Sequence, residues 1–244
     1  MDYIKVRANL VEKIRSFMNG RNAIIGESGG VDSALITFLC VEALGKDKIF
    51  ARTMPYGDQS TGDADKVASI LELPNYGCTN IKLIVDGFGF TNRLTMGNTR
   101  ARVRMAILYG LASENNGLVI GTSNRTEMML GYFTKYGDGG CDVEPIGGLF
   151  KTEVWEVAKT YPNFPPSILN KPPSAELWAG QTDESEIGMP YSEMDNILKL
   201  LTGRVQGQLH DLKLNLGEDK VSNIMRRIKN SEHKRKMPET LTFD

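Results

Sequence analysis

A glycine-rich turn between a short apolar run and a longer apolar stretch limits most strongly how this chain can fold. Residues 22–26 (NAIIG) are predicted as a buried strand, and residues 31–44 as a helix that ends before Gly45. Gly29 and Gly30 connect the two. Because glycine lets backbone N–H groups approach an anion at a helix N-terminus, the strand, turn and helix together predict a phosphate-binding loop.

The same order of strand and helix continues along the chain. Apolar patterns predict further strands at residues 48–54, 81–85 and 118–121, and further helices at residues 4–18, 62–71, 98–113, 192–201 and 219–229. Alternation of this kind predicts an α/β fold with a doubly wound parallel sheet. Residues 131–148, which are rich in glycine, and residues 161–190, which are rich in proline and polar residues, are expected on the surface.

Length, charge and cysteine content exclude several classes of protein. The 244 residues, 41% of them hydrophobic, are enough for one globular domain. A formal net charge of −1 argues against a nucleic-acid partner held by overall charge. The three cysteines contain no CxxC pair, so neither a disulfide framework nor a zinc site is predicted. No apolar run approaches ~20 residues and no signal peptide is readable, so we expect a cytoplasmic protein without a membrane partner.

The predicted phosphate-binding loop, residues 26–33 (GESGGVDS), carries acids where such loops often carry a lysine. It contains Glu27 and Asp32 but neither lysine nor arginine, unlike the GxxxxGK[ST] loop. A magnesium ion between the Asp32 carboxylate and phosphate oxygens would reverse the expected repulsion. The alternative is an aspartate that caps the first turn of the helix.

Residues 28–33 (SGGVDS) resemble the SGGxDS loop of the ATP pyrophosphatases, which cleave ATP between its α and β phosphates. The resemblance implies a Rossmann-like fold of the adenine nucleotide alpha-hydrolase type. It also implies that the whole loop binds ATP, through Gly26, Glu27, Ser28, Gly29, Gly30, Val31, Asp32 and Ser33. Glu27 departs from the family, in which an apolar or small residue is usual at this position.

Motifs in the second half of the chain narrow the family. They are GTSNRTE at 121–127, GYFTKYGDGG at 131–140, GLFKTEV at 148–154, KPPSAEL at 171–177, GQTDE at 180–184 and EHKRK at 232–236. Together they closely resemble the ammonia-dependent NAD synthetases. This resemblance implies one synthetase domain over residues 1–244 without a glutaminase domain, and a homodimer. It implies that ATP, with magnesium, drives the amidation of deamido-NAD by ammonia through an NAD-adenylate, giving NAD, AMP and pyrophosphate.

The same resemblance assigns roles to individual residues. Asp32 and Glu127 would hold magnesium and, with Lys151, form the catalytic group. Thr122, Lys151 and Ser174 would contact ATP. The residues assigned to deamido-NAD are Arg102, Lys135, Asp142, His233 and Lys234.

Elementary arguments support some of these roles and leave others open. A lysine at the predicted start of a helix, Lys151, opposes the helix dipole unless it meets phosphate. Thr122 follows a strand, at the edge of the sheet where ligands bind. Without the resemblance, Glu127 would be interpreted as an exposed helical acid, and Lys135 as part of a connecting loop.

Basic residues near these positions have a plainer interpretation. Arg100, Arg102 and Arg104 lie outside the apolar stripe of their predicted helix, which is typical of a solvated face. Residues 233–236 (HKRK) form a run that composition alone assigns to a solvated tail. We therefore expect Arg235 and Lys236 to be solvated.

Two other functions compete with the synthetase. One is another pyrophosphatase, either tRNA-modifying or GMP-forming, against which the weak basicity and the motif set argue. The other is a non-catalytic sensor of adenine nucleotides, favoured only by Glu27, whose charge should weaken the binding of a triphosphate.

Overall fold

Four parallel strands form the centre of the computed structural model, which describes residues 1–174 and 182–241. The strands are β1 (Asn22–Gly26), β2 (Ile49–Thr53), β3 (Asn75–Cys78) and β4 (Gly117–Ile120). They lie in the order β3-β2-β1-β4. Ile25 of β1 pairs with Ala51 on one side and with Ile120 on the other.

Helices connect and cover the strands. In chain order they are α1 (Tyr3–Met18), α2 (Val31–Leu44), α3 (Gly62–Ile70), α4 (Lys82–Asp86), α5 (Arg93–Glu114), α6 (Arg125–Leu130), α7 (Lys151–Ala158), α8 (Pro166–Leu169), α9 (Asp183–Ile187), α10 (Tyr191–Leu201), α11 (Leu209–Leu216) and α12 (Glu218–Asn230). No helix within the described ranges is long and apolar enough to cross a membrane.

Alternate residues of each strand pack on opposite faces of the sheet, because successive side chains of a strand point to opposite sides. Ala23 and Ile25 join the main core, together with residues of α1, α2 and α7. Ile24 packs on the other face, against Ala112 of α5 and Val119 of β4. Helices therefore cover both faces, and the predicted doubly wound parallel sheet is confirmed.

The prediction of a strand at residues 81–85 is wrong, since this segment lies in and around helix α4. Ile81 and Val85 are buried, whereas Leu83 is 87% exposed. Buried residues four positions apart fit one face of a helix, whereas a strand would bury Leu83 with them. The third strand is instead β3, whose sequence NYGC is half-exposed at the sheet edge and has no alternating apolar pattern.

The glycine-rich segment at residues 131–148 packs closely against α5. A Cβ added to Gly137 would lie 2.8 Å from the Cβ of Ala101, and one added to Gly140 would lie 2.9 Å from Met105 Cγ. The Thr134 hydroxyl also hydrogen-bonds the side chain of Asn98 at 2.8 Å. Small residues are needed here because backbone and helix approach each other directly.

Two glycines test the packing with the same substitution. A Cβ at Gly117 would lie 2.6 Å from Ile24 Cγ1, whereas a Cβ at Gly110 of α5 meets nothing within 4 Å. We expect Gly117→Ala to lower the free energy of unfolding by about 1–3 kcal/mol through overpacking. Gly110→Ala should raise it by about 0.5–1 kcal/mol through helix propensity. Urea denaturation measures both, and equal effects would contradict the packing of β4 against β1.

Candidate active site

The sheet changes its winding direction between β1 and β4. From β1 the chain proceeds outward to β2 and β3, and then returns to place β4 on the other side of β1. Ligands of open α/β sheets bind at the carboxyl ends of the strands that flank such a point. A cavity of about 460 Å³ opens there, lined by the loop after β1 and by the residues after β4.

A buried lysine joins two acids in this cavity. Lys151, the first residue of α7, is 3% exposed at its side chain. Its ammonium contacts the carboxylate of Asp32 and lies 3.3 Å from Glu127 Oε1. Asp32 lies in the first turn of α2 and Glu127 in the first turn of α6, so the starts of three helices meet at one cation.

Local capping explains why Glu127 and Asp32 lie where they do. The side chain of Asn124 accepts a hydrogen bond from the Glu127 N–H at 3.1 Å, and the Glu127 carboxylate accepts one from the Asn124 N–H at 3.2 Å. This reciprocal arrangement is a capping box. Asn124 also donates through Nδ2 to Asp32 Oδ1 at 2.9 Å, so one side chain links the two acids.

For both Lys151 and Glu127, burial and the charges of neighbouring side chains shift the pKa in opposite directions. Burial disfavours the ammonium of Lys151, but the charges of Asp32 and Glu127 outweigh it and raise the lysine pKa. Burial also raises the pKa of Glu127, and the positive charge of Lys151 offsets only part of that rise. When both carboxyl groups are ionised, the three side chains carry a formal charge of −1, which attracts a further cation.

Asp195 of α10 is buried behind the three residues and positions two of them. Its Oδ1 accepts a hydrogen bond from the Thr126 hydroxyl at 2.5 Å, and its Oδ2 accepts one from the Thr152 N–H at 2.8 Å. The Thr126 hydroxyl oxygen accepts the Lys151 N–H at 3.0 Å. Asp195 thus ties the start of α6 to the start of α7, a role without any signal in the sequence.

Most of the residues assigned to ATP lie around the cavity. Those that line it are Gly26, Glu27, Ser28, Gly30, Val31, Asp32, Ser33, Thr122, Lys151 and Ser174. Glu127, assigned to magnesium, and Lys234, assigned to deamido-NAD, also line it. Gly29 has a positive φ of 77°, and a Cβ there would lie 2.9 Å from the Ala64 nitrogen, so this position requires glycine.

Four of the residues assigned to deamido-NAD do not line the cavity. Arg102 is exposed on α5, and its Nε lies 3.4 Å from the Lys135 carbonyl oxygen. The Lys135 ammonium donates to the His233 carbonyl at 2.7 Å, so these three residues are neighbours outside the cavity. Asp142 accepts hydrogen bonds from the Val119 N–H at 2.7 Å and from the Tyr109 hydroxyl at 3.3 Å.

The expectation that the flanking basic residues are solvated holds for Arg102, Arg235 and Lys236, which are exposed, and is wrong for Arg100 and Arg104, which are half-buried. Arg104 lines the cavity and donates through Nε to the Met54 carbonyl at 3.0 Å, and Arg100 lies over the Tyr56 ring at 3.6 Å. Arg235 donates to the Met129 carbonyl at 2.9 Å, near the end of α6. Helical periodicity could not show these contacts, because the partners come from distant segments.

Part of two motifs, residues 175–181, lies outside the described residues.

Glu144 holds the segment that follows β4. Its carboxylate accepts hydrogen bonds from the Ser123 N–H at 2.9 Å and from the Cys141 thiol at 3.3 Å. A Cβ at Gly121 would lie 2.4 Å from this carboxylate, so glycine makes room for it. Burial raises the pKa of Glu144 to about 7.

The fold and the site together define the fold class of the protein. A parallel sheet, a glycine-rich loop at its switch point and a charged group facing that loop are the features of the adenine nucleotide alpha-hydrolase fold. The family model described as NAD synthase matches residues 3–238. The chain belongs to the NAD synthase family.

Individual relatives agree with the family. The chain is 44% identical over 245 residues to the NH(3)-dependent NAD(+) synthetase of Pyrococcus furiosus, covering 98% of this chain and 94% of the relative. It is 43% identical over 229 residues to the synthetase of the same name from Methanosarcina mazei, covering 89% of each.

Solved structures of two synthetases superpose on almost the whole chain. The NMN synthetase from Francisella tularensis superposes with a TM-score of 0.85 at 34% identity, covering 100% of both chains. The NH3-dependent NAD synthetase from Campylobacter jejuni, in complex with the nitrate ion, superposes with a TM-score of 0.82 at 31% identity, covering 99% of this chain and 100% of the other.

Titration of Glu144 predicts a pH-dependent stability. Its folded pKa lies above the usual value, so between about pH 4.5 and pH 7 the folded state binds more protons than the unfolded state. The free energy of unfolding therefore falls as pH rises through this range. We expect the advantage of the wild type over Glu144→Gln to shrink by up to ~3 kcal/mol between pH 5 and pH 8. Denaturation curves at several pH values measure this difference in the free energy of unfolding. A difference that does not change with pH contradicts the prediction. The control is Glu12→Gln, on the exposed face of α1.

Proposed function

We propose that this chain is an ammonia-dependent NAD synthetase, a ligase that forms the amide bond of NAD. The substrates are deamido-NAD, ammonia and ATP, and the products are NAD, AMP and pyrophosphate. The observation that carries the proposal is the ammonium of Lys151, held between Asp32 and Glu127 and facing the phosphate-binding loop. Relatives at about 40% identity are named NH(3)-dependent NAD(+) synthetases, which supports it.

The reaction has two balanced steps. A carboxylate oxygen of deamido-NAD attacks the α phosphorus of ATP, and the bond from that phosphorus to the bridging oxygen breaks, so pyrophosphate leaves. Ammonia then attacks the carbonyl carbon of the adenylate, the bond to the AMP oxygen breaks, and the nitrogen loses a proton. Adenylation is needed because AMP is a far better leaving group than an oxide oxygen.

The protein contributes position and charge to these steps. The N–H groups at the start of α2 and the hydroxyls of Ser28 and Ser33 line the cavity where the β and γ phosphates would bind. Lys151 would stabilise the negative charge that develops on the leaving pyrophosphate. Thr122 and Ser174, which line the same cavity, would contact the rest of ATP.

Asp32 and Glu127 fit a magnesium ion. Both carboxylates face one positive charge, and Mg²⁺ is commonly bound by one or two carboxylates together with substrate phosphates. Within the described ranges, no group of three or more histidine, cysteine or acidic side chains is arranged to hold a metal by itself, which agrees with a site completed by phosphate. Bound there, magnesium would neutralise phosphate charge.

Recognition of deamido-NAD is proposed for the side of the cavity near Lys234. Burial lowers the pKa of this lysine, and its ammonium donates to the carbonyls of Gly131 and Phe133, at 2.7 and 2.6 Å. Arg102, Lys135 and His233 lie together outside the cavity and would hold the more distant part of the dinucleotide. Asp142 would take part by fixing β4 and Tyr109. A cytoplasmic location and a single synthetase domain remain predictions.

A second candidate is the amidation of a mononucleotide. The solved structure with a TM-score of 0.85 is an NMN synthetase, so the fold and its 34% identity are compatible with either product. The assay that tests the proposal therefore compares deamido-NAD with nicotinate mononucleotide. A higher kcat/KM for the mononucleotide would favour the second candidate.

The reaction is tested by measuring pyrophosphate release with ATP, magnesium, deamido-NAD and an ammonium salt, omitting each in turn. We expect release to depend on deamido-NAD, with NAD formed when ammonium is present. Asp32→Asn should reduce release by about 10²–10³-fold, because it removes a charge that stabilises the transferring phosphates. Asp58→Asn, at an exposed position outside the cavity, is the control. Wild-type turnover by a folded Asp32→Asn variant contradicts the site.

We also propose a homodimer whose interface lies beside the cavity. Leu94 is 59% exposed and lines the cavity, and Leu83, Phe88 and Phe90 extend the exposed apolar surface next to it in sequence. The rings of Phe88 and Phe90 stack with centroids 5.9 Å apart. A surface of this composition is typical of a protein interface, and because Leu94 lines the cavity, a partner on this surface would lie beside the proposed site for deamido-NAD.

The interface is tested with Phe88→Ser combined with Phe90→Ser. Light scattering should give about twice the 27.0 kDa chain mass for the wild type and a lower mass for the variant, because apolar contact area is lost. The KM for deamido-NAD should rise more than the KM for ATP. Ile4→Ser, at an exposed apolar residue of α1, is the matched control. A wild-type mass for the double variant would place the interface elsewhere.

A further inference from the structure

Glu27 has an unusual position for an acid in a phosphate-binding loop. It directly follows β1 and is only 1% exposed. Its Oε1 accepts hydrogen bonds from the Gly29 N–H at 3.0 Å and from the Ser33 hydroxyl at 2.8 Å. The Thr37 hydroxyl lies 2.6 Å from its Oε2. The carboxyl group is therefore used by groups of the loop and of α2.

These contacts extend from Glu27 to both serines of the loop. The Ser33 hydroxyl lies 3.0 Å from the Ser28 hydroxyl and accepts the Ser28 N–H at 3.2 Å. Through Ser33, Glu27 thus sets the position of Ser28 as well as that of Gly29. An apolar side chain at position 27 has no acceptor for the Gly29 N–H or for the two hydroxyls.

The charge of Glu27 is also weakened. Burial raises the pKa of this carboxyl group, with the hydrogen bonds from Thr37, Gly29 and Ser33 acting against the rise. Burial thus favours the neutral form, which does not repel a triphosphate. The argument for a nucleotide sensor, which rested on a full negative charge at position 27, is weakened accordingly.

We propose that Glu27 is a positioning residue for ATP: its hydrogen bonds to Gly29, Ser33 and Thr37 preset the loop for the triphosphate, and its own side chain does not touch the nucleotide. The proposal rests on the proposed function, since it concerns the ATP site of the same reaction. When the loop is already ordered, ATP binding loses less free energy in ordering it. The affinity for ATP should therefore depend on Glu27.

The test compares Glu27→Leu with Glu27→Gln. Leucine removes all the acceptors, so the KM for ATP should rise about tenfold while the KM for deamido-NAD stays within about twofold. Glutamine keeps an acceptor for Gly29 and Ser33, so it should restore the KM for ATP to within about twofold of the wild type. A purely structural role would lower the melting temperature and leave both KM values unchanged.

Two outcomes overturn the proposal. One is a folded Glu27→Leu variant with the wild-type KM for ATP, and the other is a Glu27→Gln variant as impaired as the leucine variant. If Glu27→Leu fails to fold, Thr37→Val replaces it, because valine keeps the shape and removes one hydrogen bond. A rise of about twofold or more in the KM for ATP supports the proposal there, and an unchanged KM overturns it.

A binding measurement separates this proposal from the proposed function. Calorimetry with magnesium and α,β-methylene-ATP, an analogue that cannot release pyrophosphate, measures the affinity of the loop for the nucleotide without turnover. Weaker binding by Glu27→Leu and normal binding by Glu27→Gln support the positioning role even when the wild type forms no NAD. Equal binding by all three proteins overturns the positioning role even when the wild type is an active synthetase.

Discussion

The buried ammonium of Lys151 is the group on which the rest of the site depends. Moving a lysine out of water costs several kcal/mol, and the cost is recovered only where opposite charges lie at hydrogen-bond distance. Asp32 and Glu127 supply these charges from the first turns of two other helices. The requirement to neutralise one cation therefore fixes the relative positions of α2, α6 and α7 at the carboxyl edge of the sheet.

This arrangement explains why acids belong in a phosphate-binding loop. Asp32 faces the cavity and pairs with Lys151, and we propose that it holds magnesium against phosphate. Glu27, five residues earlier, accepts hydrogen bonds from the loop itself. One acid thus acts on charge and the other on shape, and the difference follows from what surrounds each carboxyl group.

The sequence predicted the centre of the structure well and its periphery poorly. β1, the loop and α2 have strong local signals, since an apolar strand, two glycines and an apolar helix follow one another directly. β3 was missed because NYGC gains its strand conformation from pairing with β2. The apolar run at residues 81–85 fits a strand as well as a helix, because it is too short to show which of the two periods it follows.

The residues of the candidate site show the same contrast between strong local motifs and contacts between distant segments. Ser28, Asp32 and Lys151 were found from motifs, and the structure brings them together around one cavity. Asp195 and Glu144 were missed, because each acts through hydrogen bonds to residues far away in the chain. Arg102 and Lys135 were assigned to deamido-NAD by resemblance but lie outside the cavity of the single chain, so their role depends on how the proposed partner protomer completes the site.

The most direct test of the account follows an oxygen atom. Deamido-NAD labelled with ¹⁸O in its nicotinate carboxylate would be converted with ATP and ammonium, and the products analysed by mass spectrometry. Attack on the α phosphorus followed by loss of AMP predicts one ¹⁸O atom in AMP and none in pyrophosphate. Label in pyrophosphate, or unlabelled AMP beside labelled NAD, would contradict adenylation at this site.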